Sequence, residues 1–333
     1  MNSSISGEMF RLSLENNIPL DTIVELTDDC NLSCLHCCKV KNQKADILSY
    51  EELTDLFNQL AKAGGLYLIF TGGEIFSRPD ALKIIRLARQ KGFALSLFTN
   101  GTLIERTEAE ALARLSLQEV HISLYAAAPA VHEKITGVKG SFTRSLKAIK
   151  LLKERAVSVK IKSLLMTLNA GEQKKLKQLA GQLGVKIKFD FIVTPRDNGD
   201  RRPLAYRLPL PVIRKAFAQG KNFAGSSVGG SFSSDDFFCS AGKNLVTVTA
   251  AGKVLPCLQL PIEMGDLRRQ SFAEIWSGSQ ELQNFRKIKL QDLPVCAKCS
   301  RYAVCQRCPG IAYLEDGDLF GPANLYCQIS GKL

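Results

Sequence analysis

No apolar run in this chain approaches the length needed to cross a bilayer, so no transmembrane helix is expected. Residues Met1 to Leu20 lack the apolar core of a secretory signal. Internal repeats and low-complexity tracts are absent, which removes solenoid and array architectures. Eleven cysteines, an odd number in 333 residues, argue against a secreted disulfide framework. Carboxylates are scarce in one window. From Lys134 to Lys188 there are 14 lysines and arginines against Glu154 and Glu172 alone. That window accounts for the whole net charge of +12. Its bland reading is a solvated face. Its functional reading is attraction for an acidic peptide or another polyanion.

What is present is clustered. Four cysteines lie between 30 and 38, and seven between 239 and 327. This distribution fits metal sites in a reducing cytoplasm, with no membrane or nucleic-acid partner expected. A chain of this length that is 45% hydrophobic can hold one large domain and a smaller one.

The run Cys30-Asn31-Leu32-Ser33-Cys34-Leu35-His36-Cys37 has the spacing C-x3-C-x2-C, and a fourth cysteine at useful spacing is missing. Cuboidal iron–sulfur clusters normally take four thiolates, one per iron. Three thiolates leave one iron open to a reactive ligand. A zinc site would need a fourth Cys or His, with His36 the option at hand. Cys38 directly follows Cys37 and should point elsewhere. Buried, inert cysteines are the third reading.

From residue 22 to about 191 short β runs alternate with helical runs, the pattern of βα units and a parallel sheet. The expected strands are Thr22–Thr27, Leu66–Thr71, Phe93–Thr99, Glu119–Leu124, Val157–Leu164 and Val185–Phe191. Helices should start near Ser49, Pro79, Thr107, Ser141 and Gly171. In the Ser141 helix, Phe142, Leu146, Ile149 and Leu152 form an apolar stripe, while Lys147, Lys150 and Lys153 face water. Six units are too few for a closed eight-stranded barrel. The expected fold class is therefore α/β, an open partial (βα)6 barrel followed by a small cysteine-rich iron–sulfur domain.

Barrel sites lie at the C-terminal ends of the strands. The cysteine run follows the first strand, Thr71-Gly72-Gly73-Glu74 ends the second, Thr99-Asn100-Gly101 ends the third, and Ser123 ends the fourth. The last two strands alternate polar and apolar residues, whereas strands covered on both faces read as continuous apolar runs. Lys160, Lys162, Lys186, Lys188 and Asp190 are thus expected on the lumen wall, either contacting a ligand or forming a salt-bridged floor.

The rhythm stops after about residue 192. Thr194 to Asp200 reads as an exit loop, Pro211–Gln219 as a helix, and 221–235 as a Gly/Ser-rich bridge. The expected divisions are an extension over 1–21, the barrel over 22–192, a bridging segment over 193–235 and a cysteine-rich domain over 236–333. This tail holds Cys239, Cys257, Cys296, Cys299, Cys305, Cys308 and Cys327. The Cys296-x2-Cys299-x5-Cys305-x2-Cys308 tetrad alone permits zinc. Seven cysteines do not divide into zinc tetrads but suit two auxiliary iron–sulfur clusters.

Taken together, the cysteine run and the Gly72-Gly73-Glu74 segment resemble the radical S-adenosylmethionine superfamily. The tail resembles a SPASM domain through Cys239, Gly252-x4-Cys257, Ser271-Phe272-Ala273-Glu274-Ile275-Trp276, the tetrad and Cys327. The resemblance implies a [4Fe-4S] cluster on Cys30, Cys34 and Cys37 whose open iron chelates S-adenosylmethionine. A 5′-deoxyadenosyl radical made there would take a hydrogen atom from the substrate. It further implies Gly72, Gly73 and Glu74 at the amino group and Ser123 and Asn100 at the ribose or methionyl part. Lys162 would meet the carboxylate, and the backbone of His36 would lie near the adenine. One auxiliary cluster would use Cys296, Cys299, Cys305 and Cys327, and the other Cys239, Cys257 and Cys308.

Two departures from the family pattern matter. Only Gln306 and Arg307 separate the last two tetrad cysteines, where three residues are usual, and no cysteine lies between Cys239 and Cys257. The inner auxiliary cluster is then open, or takes Asp235, Asp236, water or a substrate thiolate.

Relatives with this tail mostly modify peptides or proteins, often ribosomally synthesised precursors, and Cys308 to Asp318 resembles the closing segment of peptide maturases. The expected enzyme is therefore a peptide maturase, with a thioether or other crosslink as leading product. The alternatives are a dehydrogenase, epimerase or tetrapyrrole-modifying enzyme acting on a small molecule, or a non-enzymatic redox or sensing module. Expected partners are a precursor peptide and an electron donor such as flavodoxin or ferredoxin. A separate leader-peptide recognition protein is a third, since only 21 residues precede the first strand.

Overall fold

The computed structural model describes residues 5–40, 46–218, 239–302 and 305–331. Helix α1 (Ile5–Glu15) leads into β1 (Asp21–Glu25). Then come α2 (Tyr50–Lys62), β2 (Tyr67–Thr71), α3 (Ala81–Gln90), β3 (Ala94–Thr99), α4 (Arg106–Ala113) and β4 (Glu119–Ser123). Two helices, α5 (Pro129–Thr136) and α6 (Ser141–Glu154), precede β5 (Val159–Leu164), α7 (Gln173–Gln182), β6 (Lys186–Asp190) and α8 (Leu210–Ala218). The tail holds β7 (Leu245–Val248), β8 (Lys253–Leu255), β9 (Gly265–Asp266), α9 (Phe272–Gly278), α10 (Gln280–Lys287), α11 (Pro309–Asp316) and α12 (Asn324–Ile329).

Strands β1 to β6 pair in parallel, each with the next, and the sheet stays open as a partial barrel. The helices cover one face. Val24, Phe70, Leu97, Ile122 and Ile161 on that face are fully buried. Helix α2 supplies Leu53, Leu56, Phe57 and Leu60 to the same layer. It starts where expected because Ser49 caps the Glu52 N–H and Glu52 returns to the Ser49 N–H, a capping box. The other face alternates toward the lumen, as the last two strands foretold.

The tail does not stand apart from the barrel. Strand β7 pairs in parallel with β1, and β8 and β9 continue the sheet antiparallel, giving the order β6-β5-β4-β3-β2-β1-β7-β8-β9. Pairing with β7 satisfies the backbone edge that β1 would otherwise leave bare. Six helices go beyond the sequence reading: α1, α5 and the tail helices α9, α10, α11 and α12. Helix α5 carries proper punctuation, with Pro129 in its first turn and Gly137 at φ +71° after its end. It escaped because no strand separates it from α6, which breaks the assumed alternation. The bridge over 221–235, Asp235, Asp236 and Gln219 lie outside the described residues.

Helix α5 holds a buried titratable group. His132 accepts a hydrogen bond at Nδ1 from the Tyr125 N–H at 3.2 Å, and its ring stacks on Tyr125. Burial pushes its pKa down to about 4. The unfolded chain binds this proton near the ordinary value of about 6.5, so folding is favoured above that pH and loses the contribution as pH falls toward 4. We expect the cluster-free protein to lose on the order of 3 kcal/mol from this residue across that window, read by urea unfolding. His132→Asn should give a shallower pH slope. An unchanged slope would assign the acid sensitivity to other groups.

Candidate functional site

The cysteine loop is clamped by backbone on two sides. On one, the Gly73 N–H donates to the Thr27 carbonyl at 2.7 Å and the Glu74 N–H to the Asp29 carbonyl at 2.8 Å. On the other, the Ser33 N–H donates to the Thr136 carbonyl at 2.8 Å and the Leu35 N–H to the Ile135 carbonyl at 3.0 Å, at the end of α5. The glycines are required by this approach. A Cβ on Gly72, at φ +129°, would stand 2.3 Å from the Thr27 carbonyl oxygen, and one on Gly73 would stand 2.2 Å from that of Asp29. Their missing side chains thus face the cysteine loop.

Glu74 is fully buried, and its carboxylate ties β2 to β3. It accepts from the Thr99 hydroxyl at 2.6 Å, the Asn100 N–H at 2.7 Å and the Phe76 N–H at 3.2 Å. Burial raises its pKa while these bonds oppose the rise. The Asn100 amide turns to the loop, donating to Asn31 Oδ1 at 2.9 Å and reaching Cys30 Sγ at 3.9 Å, while its Oδ1 accepts from Thr102. Asn31 in turn donates to the Thr102 hydroxyl. Asn31 and Thr102 escaped the sequence reading because nothing in their spacing marks them.

The thiols of Cys34, Cys37 and Cys30 all lie within electrostatic reach of the buried Tyr125 phenol, which is hydrogen-bonded to Ser123. Ser123 and the three cysteines are therefore neighbours. The His36 ring packs edge-on against Tyr125 at 4.6 Å, and its Nδ1 is buried without a hydrogen-bond partner. Burial, and then the neighbouring Cys37, push the Cys38 thiol up to about 12, with Lys39 opposing the rise. Lys39 binds Glu25 at 2.9 Å and Asp197 at 3.1 Å, tying the cysteine loop to the exit loop after β6.

On the lumen wall, Lys162 lies in register beside Ser123. Its ammonium sits 4.2 Å over the Phe98 ring and 3.9 Å from Asp190. Burial lowers its pKa, Asp190 opposes, and Lys188 and Lys160 add to the lowering.

In the tail the thiols fall into two groups. Cys257 interacts with Cys239 and Cys308, and Cys305 with Cys327, Cys296 and Cys299. Gly310 makes the first group possible, since a Cβ there would stand 2.2 Å from the Gln259 carbonyl oxygen in the loop after Cys257. Burial raises Cys239 and Cys305 to about 11 and Cys257 to about 12. Such thiols stay protonated alone and release protons on binding metal. Among the described residues no three Cys, His, Asp or Glu side chains stand as ligands of a single ion. Thiolates on separate irons of a cluster stand farther apart than the ligands of one ion. Both the loop and the tail groups are made of thiols, the donor chemistry of iron–sulfur clusters.

Comparison with known proteins agrees with this geometry. The radical SAM superfamily profile matches residues 24–180, and that of SPASM, an iron–sulfur cluster-binding domain, matches 239–309. The AdoMet-dependent heme synthase of Methanosarcina barkeri is 28% identical over 91% of this chain and 94% of its own length. The PqqA peptide cyclase of Gluconobacter oxydans is 27% identical over 85% of this chain and 83% of its own. The fold is similar to Streptococcus suis SuiB bound to S-adenosylmethionine, with TM-score 0.75 and 14% identity over 98% of this chain and 84% of that one. It is also similar to anSMEcpe with bound AdoMet, with TM-score 0.67 and 18% identity over 93% and 94%.

Anaerobic reconstitution should load about 12 irons if three cuboidal clusters form, and Cys30→Ala, Cys34→Ala, Cys37→Ala together should remove about a third. Gly73→Ala should lower the same third, because its Cβ meets a carbonyl oxygen that only a loop displacement can clear. Full iron in that variant would refute the clamp. Glu74→Gln should keep iron and weaken S-adenosylmethionine binding by about 1.5–3 kcal/mol, the worth of one charge-assisted contact. Equilibrium dialysis of the cofactor reads it, and unchanged affinity would release Glu74 from that role.

Proposed function

The chain carries a radical S-adenosylmethionine domain followed by a SPASM iron–sulfur cluster-binding domain, and from that premise we propose that it modifies a peptide. When bound, S-adenosylmethionine and the cluster on Cys30, Cys34 and Cys37 supply a 5′-deoxyadenosyl radical that abstracts a substrate hydrogen. The chain's own residues position that chemistry. The glycine and α5 contacts hold the loop, Ser123 and Tyr125 lie beside the thiols, and Glu74, whose carboxylate is held by Thr99, Asn100 and Phe76, is our assignment for the cofactor's ammonium. Lys162 is our assignment for the cofactor's carboxylate. The tail thiols take the two auxiliary clusters in the groups described above.

One observation carries the peptide reading. The concave face runs unbroken from β6 across β1 onto β7 and β8. On it lies a cleft of about 390 Å³ lined by Glu25, Cys38 and Lys39 from the barrel and by Lys253, Leu258 and Gln259 from the tail. It joins the cysteine loop, through Cys38 and Lys39, to the loop after Cys257, through Leu258 and Gln259, where we place the peptide. The similarity to the peptide cyclase supports it. A thioether or other crosslink in a ribosomally synthesised precursor is the product we assign. Flavodoxin or ferredoxin would serve as electron donor, a separate protein would recognise the leader, and the cytoplasm is the setting. A second reading, a tetrapyrrole substrate, is favoured by the similarity to heme synthases over most of the chain.

Anaerobic mass spectrometry of short peptides co-expressed with the protein decides between them. We expect a peptide lighter by a pair of hydrogens, formed together with 5′-deoxyadenosine. Turnover of a tetrapyrrole with every peptide unchanged would replace the first reading by the second.

A further inference from the structure

The basic window of the sequence divides in two. Lys147, Lys150 and Lys153 on α6 and Lys174, Lys175 and Lys177 on α7 are exposed on the outside. Lys160, Lys162, Lys186 and Lys188 instead share the lumen face, with Lys160 in register beside Lys186 and Lys162 beside Lys188. His121 joins this wall opposite Lys160. Two carboxylates answer the four lysines. Glu119 pairs with Lys160 and lies 3.1 Å from His121, and Asp190 stands 3.9 Å from Lys162. Among the described residues no carboxylate is within ion-pair range of Lys186 or Lys188.

One further feature accords with an anion on this wall. Burial weakens the Lys162 cation first, and Lys188 and Lys160 add like charge beside it, so that with the cofactor's carboxylate assigned to Lys162 the cations left for another anion are Lys186 and Lys188.

We infer that the lumen wall of β4, β5 and β6 is a subsite for carboxylate groups of the substrate, with Lys186 and Lys188 as its unpaired cations. This rests on the reading that the substrate lies on the concave face, and it names the chemistry recognised there. Such carboxylates come either from Asp and Glu side chains of a peptide or from the acid arms of a tetrapyrrole. Lysine suits both, as a mobile point charge with three donors.

The test uses the reconstituted full chain and two probes, a glutamate-rich peptide and a tetracarboxylate porphyrin, each compared with its methyl ester. Lys186→Gln with Lys188→Gln breaks no ion pair. Lys150→Gln with Lys153→Gln removes the same charge from the outer surface. The lumen variant should bind at least one anionic probe about tenfold more weakly or worse, the outer variant should match the parent, and the esters should not respond. Equal loss in both variants, or no loss in either, overturns the subsite. If it is overturned while peptides are still modified, the proposed function stands. If the lumen variant loses only the porphyrin, the subsite stands and the peptide reading falls.

Discussion

The cysteine loop can sit where it does because two backbones meet with no side chain between them. Residues 27–29 press on Gly72 and Gly73 so closely that a single methyl group would overlap a carbonyl oxygen. The rest of the site inherits its position from this contact. Once the loop is docked, Asn100 and Thr102 reach Asn31, Glu74 locks the end of β3, and the three thiols come within electrostatic reach of Tyr125. On the far side, Gly137 repeats the arrangement. A Cβ there would stand 3.0 Å from the Ser33 carbonyl oxygen. The loop is held by contacts that tolerate little displacement, which suits a group whose reacting atoms must be placed to within a fraction of an ångström.

The tail depends on the same sheet. By pairing β7 with β1, the chain extends the concave surface past the cysteine loop and brings the Cys257 loop alongside it. Gly310 then lets the start of α11 approach that loop, so Cys308 joins Cys239 and Cys257 although Cys305 belongs to the other group. Burial makes these thiols poor acids without metal. Metal binding and completion of the tail core are thereby linked, and both should weaken as protons become abundant.

Much of this was readable in the chain. The six strands, the capping box at Ser49, the apolar stripe of α6 and the lumenal placement of the β5 and β6 lysines follow from periodicity and local hydrogen bonding. The boundaries differ by a residue or two where strands leave the sheet. Helix α5 was missed because its signals, Pro129 and Gly137, were overruled by an assumed strand–helix alternation. The purpose of Gly72 and Gly73 shifted as well. The sequence marks them as places of close approach, and the fold shows that the approaching group includes the protein's own loop.

The sequence by itself determined the chemistry, because thiol spacing, a Gly-Gly-Glu segment and charge alternation are local properties of the chain. The tertiary structure decided which distant groups meet. It split one run of basic residues into a solvated outer face and a lumenal wall, since helical and strand periodicities send neighbouring lysines in different directions. It also sorted seven tail cysteines into two groups and joined the tail to the barrel through β1. Those outcomes depend on backbone approach between segments remote in sequence, which no local spacing encodes.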